Sequence, residues 1–192
     1  RPEFKVALAD IQTFLIDMRR WVEQIELGIR SSPSSDRVQL ENEAIDKLSD
    51  QVVAMLDELF AKFEDIAMTL EAEAQPVHRS YVQRLLHPIV LCAPFAYRTY
   101  QKPLGYAGDY EMVNMMLRDP KEGGSLFAKL FNVWLLQQDS ATAHRNRVQF
   151  MLERLTQESL RCLRAGRPLK VINLGCGPAG EVQRFLAEGA LA

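Results

Sequence analysis

Apolar residues recur at alternating spacings of four and three from the start of the chain: Phe4, Leu8, Ile11, Leu15, Met18, Val22, Ile25 and Ile29. No strand accommodates that period. It places one continuous stripe along a helix, the seam of a helix packed at a shallow angle on a neighbour. The Ser/Pro/Asp cluster from Ser31 to Asp36 breaks the pattern, and a second stripe follows with Leu48, Val52, Met55, Leu59, Phe63, Ile66 and Leu70. Two long helices joined by so short a turn fold back as an antiparallel hairpin. A hairpin cannot cover both of its apolar faces alone. It packs on the rest of the chain or on a second copy, and a homodimer through these helices is expected.

Gln75-Pro76 marks the next joint, so residues 1–75 form the first expected region. Residues 76–165 form a second, helical one, interrupted by Pro88, Pro94 and Pro103, each of which ends or bends a helix. Within it, Arg98 to Tyr110 (RTYQKPLGYAGDY) carries Gly105 and Gly108 and reads as an ordered, lid-like loop. Helical patterns resume over Glu111 to Arg118, Ser125 to Gln137 and about Ser140 to Arg164, with Asp139 or Ser140 as the last helix's cap. Gly166 and Pro168 stand where that helix stops.

After Pro168 the pattern changes. Leu169 to Leu174 is a short apolar run that reads as a buried strand, and Glu181 to Glu188 reads as a helix. Between them Gly175-Cys176-Gly177-Pro178-Ala179-Gly180 turns the chain. Strand, glycine turn and helix together are the opening unit of a doubly wound nucleotide-binding fold. Gly175 and Gly177 lack the Cβ that would obstruct a cofactor, and Gly180 lets the helix approach the strand. The expected fold is therefore mainly α, with residues 166–192 beginning an α/β Rossmann-like domain. Arg1 in place of a starting methionine, and an abrupt Gly189-Ala190-Leu191-Ala192, read as cuts in a longer protein. On that reading the fragment is catalytically inactive by itself.

Composition excludes little but is useful at two points. A net charge of −2 provides no basic surplus for nucleic acid. No apolar run reaches membrane-spanning length. Cys92, Cys162 and Cys176 show neither pairing nor ligand spacing, as expected of reduced thiols in the cytoplasm. His78, His87 and His144 form no metal pattern. Trp21 and Trp134 fall on apolar helix faces and are expected in the core.

Val171-Ile172-Asn173-Leu174-Gly175-Cys176-Gly177-Pro178-Ala179-Gly180 resembles the first motif of Rossmann-like methyltransferases dependent on S-adenosylmethionine. Asn173 stands where that family more often has Asp. Three upstream stretches extend the likeness: Tyr100 to Glu111, Glu122 to Ala128, and Ala143 to Arg147. These are similar to bacterial methyltransferases linked to 3-hydroxypalmitic acid methyl ester biosynthesis. The resemblance implies S-adenosylmethionine as cofactor, a quorum-sensing setting and a small-molecule methyl acceptor such as a 3-hydroxy fatty acid carboxylate. It implies that Asn173, Gly175, Cys176, Gly177, Pro178 and Gly180 face the cofactor.

Methyl transfer is an in-line displacement at a sulfonium, so positioning dominates the chemistry. Tyr100, Tyr106 and Tyr110 offer electron-rich faces to that cation. Arg98 or Lys102 could hold a carboxylate, and Asp109 could accept from the cofactor's ammonium. The plainer alternative is that the glycines shape a turn, Asp109 caps the next helix and the tyrosines pack. A non-catalytic dimerisation module and an NAD(P)-dependent oxidoreductase using the same glycine turn both stay open. No catalytic residue stands out.

Overall fold

The computed structural model describes residues 1–105 and 109–188. Among them the secondary structure is helical, without strands. No described helix is long and apolar enough to cross a membrane. The chain divides into two compact units, residues 1–101 with 120–135, and residues 102–119 with 136–192.

The first unit is built on the expected hairpin. Helix α1 spans Pro2–Arg30 and α2 spans Arg37–Met68. Proline in the first turn suits α1, because a helix start needs no N–H there. The two helices are antiparallel: the Arg1 guanidinium donates to the carbonyl of Thr69 at 3.0 Å, Lys62 lies 3.5 Å from Asp10, and the Phe4 and Phe63 rings are 5.0 Å apart. Along α1 the expected seam is buried from Phe4 to Val22, each large side chain contributing about 1.5–3 kcal/mol. On α2 the expected stripe is kept except at one position. Ile45, Val52 and Leu56 are buried, whereas Met55, expected on the seam, is 41% exposed. The rest of the expected stripe, Leu48, Val52, Leu59, Phe63, Ile66 and Leu70, packs on the core.

Helix α3 (Gln75–Val90), α4 (Pro94–Gln101) and α6 (Leu126–Gln137, of which Leu126 to Leu135 belong here) complete this unit. They cover the hairpin's seam from within the chain, one of the two ways expected. Phe4 meets the edge of His78 on α3, and Phe127, Phe131 and Trp134 on α6 join the core. The Trp134 indole N–H donates to Asp57 at 2.8 Å. Lys121 and Lys129 reach Asp46 and Glu41 on α2 at 2.6 and 2.7 Å. Trp21, also expected in the core, is half exposed instead. It lies off the buried stripe of α1, next to Val22, which takes the inward position.

Asn132 is fully buried on α6. Its side-chain oxygen accepts from the Phe95 N–H at 3.0 Å, and its amide donates to the Pro120 carbonyl at 2.8 Å. Phe95 lies in the first turn of α4, where helix N–H groups have no intrahelical partner. Asn132 therefore caps α4 from a distance. Arg98 to Gln101, read as loop, form the last turn of α4.

In the second unit, α5 (Tyr110–Leu117) and the long α7 (Asp139–Arg164) pack together. Arg145 of α7 donates to the carbonyl of Met116 at 3.2 Å and to Thr142 at 2.9 Å, tying the two. The residue preceding α7 is Gln138, with Asp139 already in its first turn, so neither expected cap applies. Gly166, at φ +62°, ends α7 as expected: its N–H donates to Leu163 and that of Arg167 to Cys162, closing the orphan carbonyls. Helix α8 runs Gly180–Ala187.

The expected strand at Leu169 to Leu174 does not form. Val171, Ile172 and Leu174 are 50%, 87% and 88% exposed. A strand is completed by a neighbour's hydrogen bonds, and none is present among the described residues. Apolar composition alone does not bury a segment.

Candidate functional site

The glycine turn has the backbone that its sequence requires. Gly175 and Gly177 have φ values of +63° and +53°, the left-handed region that glycine enters without a steric penalty. Ala179 follows at +50° and leads into α8, with its N–H closing a turn on the Cys176 carbonyl at 2.8 Å. A side chain at Gly175 would meet nothing within 4 Å. The turn thus presents open main chain.

Gly180 was expected against the strand and is found against helices. A Cβ there would come 3.2 Å from Leu117 of α5 and 4.0 Å from Val148 of α7. The close approach is real, but its partner is the α5–α7 pair. Asn173 donates to Glu181 in the first turn of α8 at 3.0 Å. Gln183 donates to the Pro178 carbonyl at 2.7 Å, holding the turn from behind.

Gly175, Cys176, Gly177 and Pro178 form one wall of a cleft of about 560 Å³. The others come from α5 (Tyr110, Met112, Val113, Met116) and α7 (His144, Arg147). That volume falls within the range of small-molecule sites. The lining has an apolar side, one guanidinium and no carboxylate. His144 donates through Nδ1 to the Ser140 carbonyl at 2.8 Å, so its Nε2 is the acceptor in the neutral ring. Among the described residues no group of three His, Cys, Asp or Glu side chains could hold a metal ion.

Of the site residues expected from sequence, Tyr110 comes to the glycine turn. Asp109 is fully buried as the cap of α5, its carboxylate accepting from the Met112 N–H at 2.9 Å. Tyr100 belongs to the first unit, with its ring 4.4 Å from that of His87. Arg98 lies in the same helix of the first unit. Lys102 follows α4 at φ +46°, its carbonyl accepting from the Gly105 N–H at 2.8 Å. Tyr106, with Gly108, lies outside the described residues.

Met112, Val113 and Met116 of α5 are cleft residues that reasoning from sequence passed over. From sequence, His144-Arg145-Asn146-Arg147 could touch an anionic ligand or be four solvated residues in a helix's first turns. The spacing of three between His144 and Arg147, which puts them on one helix face, was the available signal.

The chain was compared with protein-family models, with curated proteins and with solved structures, and it matches none.

Proposed function

We propose that this chain carries the first cofactor-binding turn of an S-adenosylmethionine-dependent methyltransferase, with the helical region that precedes it. One observation carries the reading: open glycine main chain, in the left-handed conformation, lines a cleft of ligand size. The motif's resemblance supplies the cofactor class. When bound, the cofactor would supply an activated methyl group. The chain's own part is to receive it against the main chain of Gly175 to Gly177 and to shield it with Tyr110. The electron-rich face of Tyr110 suits a sulfonium. The apolar side formed by Met112, Val113 and Met116 suits a methyl acceptor with an aliphatic chain, such as a 3-hydroxy fatty acid.

The test is calorimetric titration of the full-length protein with S-adenosylhomocysteine and, separately, with NAD. The expected result is heat with the first and none with the second. Preference for NAD would replace this reading with an oxidoreductase. A second arm separates cofactor binding from stability. Gly177→Ala places a Cβ 3.9 Å from Tyr110, ordinary contact, so its cost is about 1 kcal/mol of backbone strain. Its affinity for S-adenosylhomocysteine should nevertheless fall severalfold. Unchanged affinity would remove the glycine turn from the site.

A further inference from the structure

We infer that Arg147 is the carboxylate anchor of this cleft, and that it binds the carboxylate at the amino-acid end of the cofactor. The inference rests on the reading of the cleft as the S-adenosylmethionine site. It assigns to α7 a role that the sequence offered to Arg98 or Lys102.

The argument begins with which arginines are already engaged. In the second unit Arg118 pairs with Glu111 at 2.7 Å, Arg145 is bonded to Met116 and Thr142, and Arg161 to Glu158. Arg184 pairs with Glu188 at 3.0 Å. Arg147 lines the cleft and has neither a hydrogen bond nor an ion pair among the described residues. The cleft wall supplies no carboxylate to satisfy it. A guanidinium's planar fork is matched by a carboxylate accepting two parallel hydrogen bonds.

The second line concerns neighbours. His144 lies three residues before Arg147, on the same face of α7, and both line the cleft. With Nδ1 committed to Ser140, the neutral ring offers Nε2 as an acceptor. An acceptor beside a cation is the arrangement an α-amino acid needs, one for the ammonium and the other for the carboxylate. The glycine turn stands on the facing wall of the same cleft. Its Gly175, Cys176 and Gly177 N–H groups make no backbone hydrogen bond among the described residues.

The experiment compares two ligands that differ at that end. S-adenosylhomocysteine carries the amino acid, whereas 5′-methylthioadenosine lacks it. Both are titrated calorimetrically into full-length wild type, Arg147→Ala, Arg147→Lys and the control Arg154→Ala. Arg154 is on the same helix but stacks on Phe150 and lines no part of the cleft. Arg147→Ala should weaken S-adenosylhomocysteine by about tenfold to a hundredfold and leave 5′-methylthioadenosine unchanged. Arg147→Lys should fall between, since a point charge replaces the fork. The control should match wild type. If Arg147→Ala leaves both ligands alone, or weakens both equally, the anchor is refuted while the cofactor reading stands. If wild type takes up neither ligand, the cofactor reading fails and the anchor fails with it.

Discussion

Replacing Asn132 tests the remote cap that decides where α4 begins. In Asn132→Leu the volume is roughly retained, but the Phe95 N–H loses its acceptor in a buried setting. An unsatisfied buried donor costs about 1–3 kcal/mol. The Pro120 carbonyl suffers less, because it also accepts from the Glu122 N–H at 2.8 Å. Asn132→Ala adds a cavity at a fully buried position, about 1 kcal/mol more. The expected losses are therefore about 1–3 kcal/mol for leucine and about 2–4 kcal/mol for alanine. Urea unfolding followed by tryptophan fluorescence measures this selectively, because Trp21 and Trp134 both report on the first unit. The midpoint should fall with an unchanged slope. Hydrogen exchange at the Phe95 amide should accelerate by more than exchange elsewhere in α4. A leucine variant that loses less than about 0.5 kcal/mol, with Phe95 still protected, would refute the cap.

Asp109→Ala should destabilise the second unit by about 1 kcal/mol through loss of the α5 cap, and Asp109→Asn by less, since asparagine also caps; thermal unfolding distinguishes them. If both lose equally, a role other than capping governs Asp109. Gly123→Ala would put a Cβ 2.9 Å from the Ala128 Cβ and the Lys129 nitrogen, at φ +155°. Backbone cannot yield as a side chain does, so a loss of about 2–4 kcal/mol is expected, and a neutral variant would show that the 120–125 turn rearranges freely. Iodoacetamide should modify Cys176 before the other two cysteines. Cys162 is buried, and burial pushes the Cys92 thiol up, lowering its thiolate fraction. S-adenosylhomocysteine should slow the reaction at Cys176, and mass spectrometry after a timed quench reads both outcomes.

Local period and local chemistry were enough for the helices. The four-and-three spacing specified the α1–α2 hairpin and its turn at Ser31 to Asp36, because a helix satisfies its own backbone and needs only a stripe to bury. Gly166 ended α7, and the glycine turn took the left-handed values that only its residue types adopt cheaply. Partners distant in sequence decided the rest. Asn132 caps the first turn of α4 through a contact 37 positions away. The exposure of Trp21 and of Met55 followed from which faces of the hairpin the other helices cover. The run from Leu169 to Leu174 remained without a ladder, since a strand, unlike a helix, has to borrow its hydrogen bonds from elsewhere. The cleft is likewise a tertiary product: His144 and Arg147 gain a role only when α5, α7 and the glycine turn come together to line it.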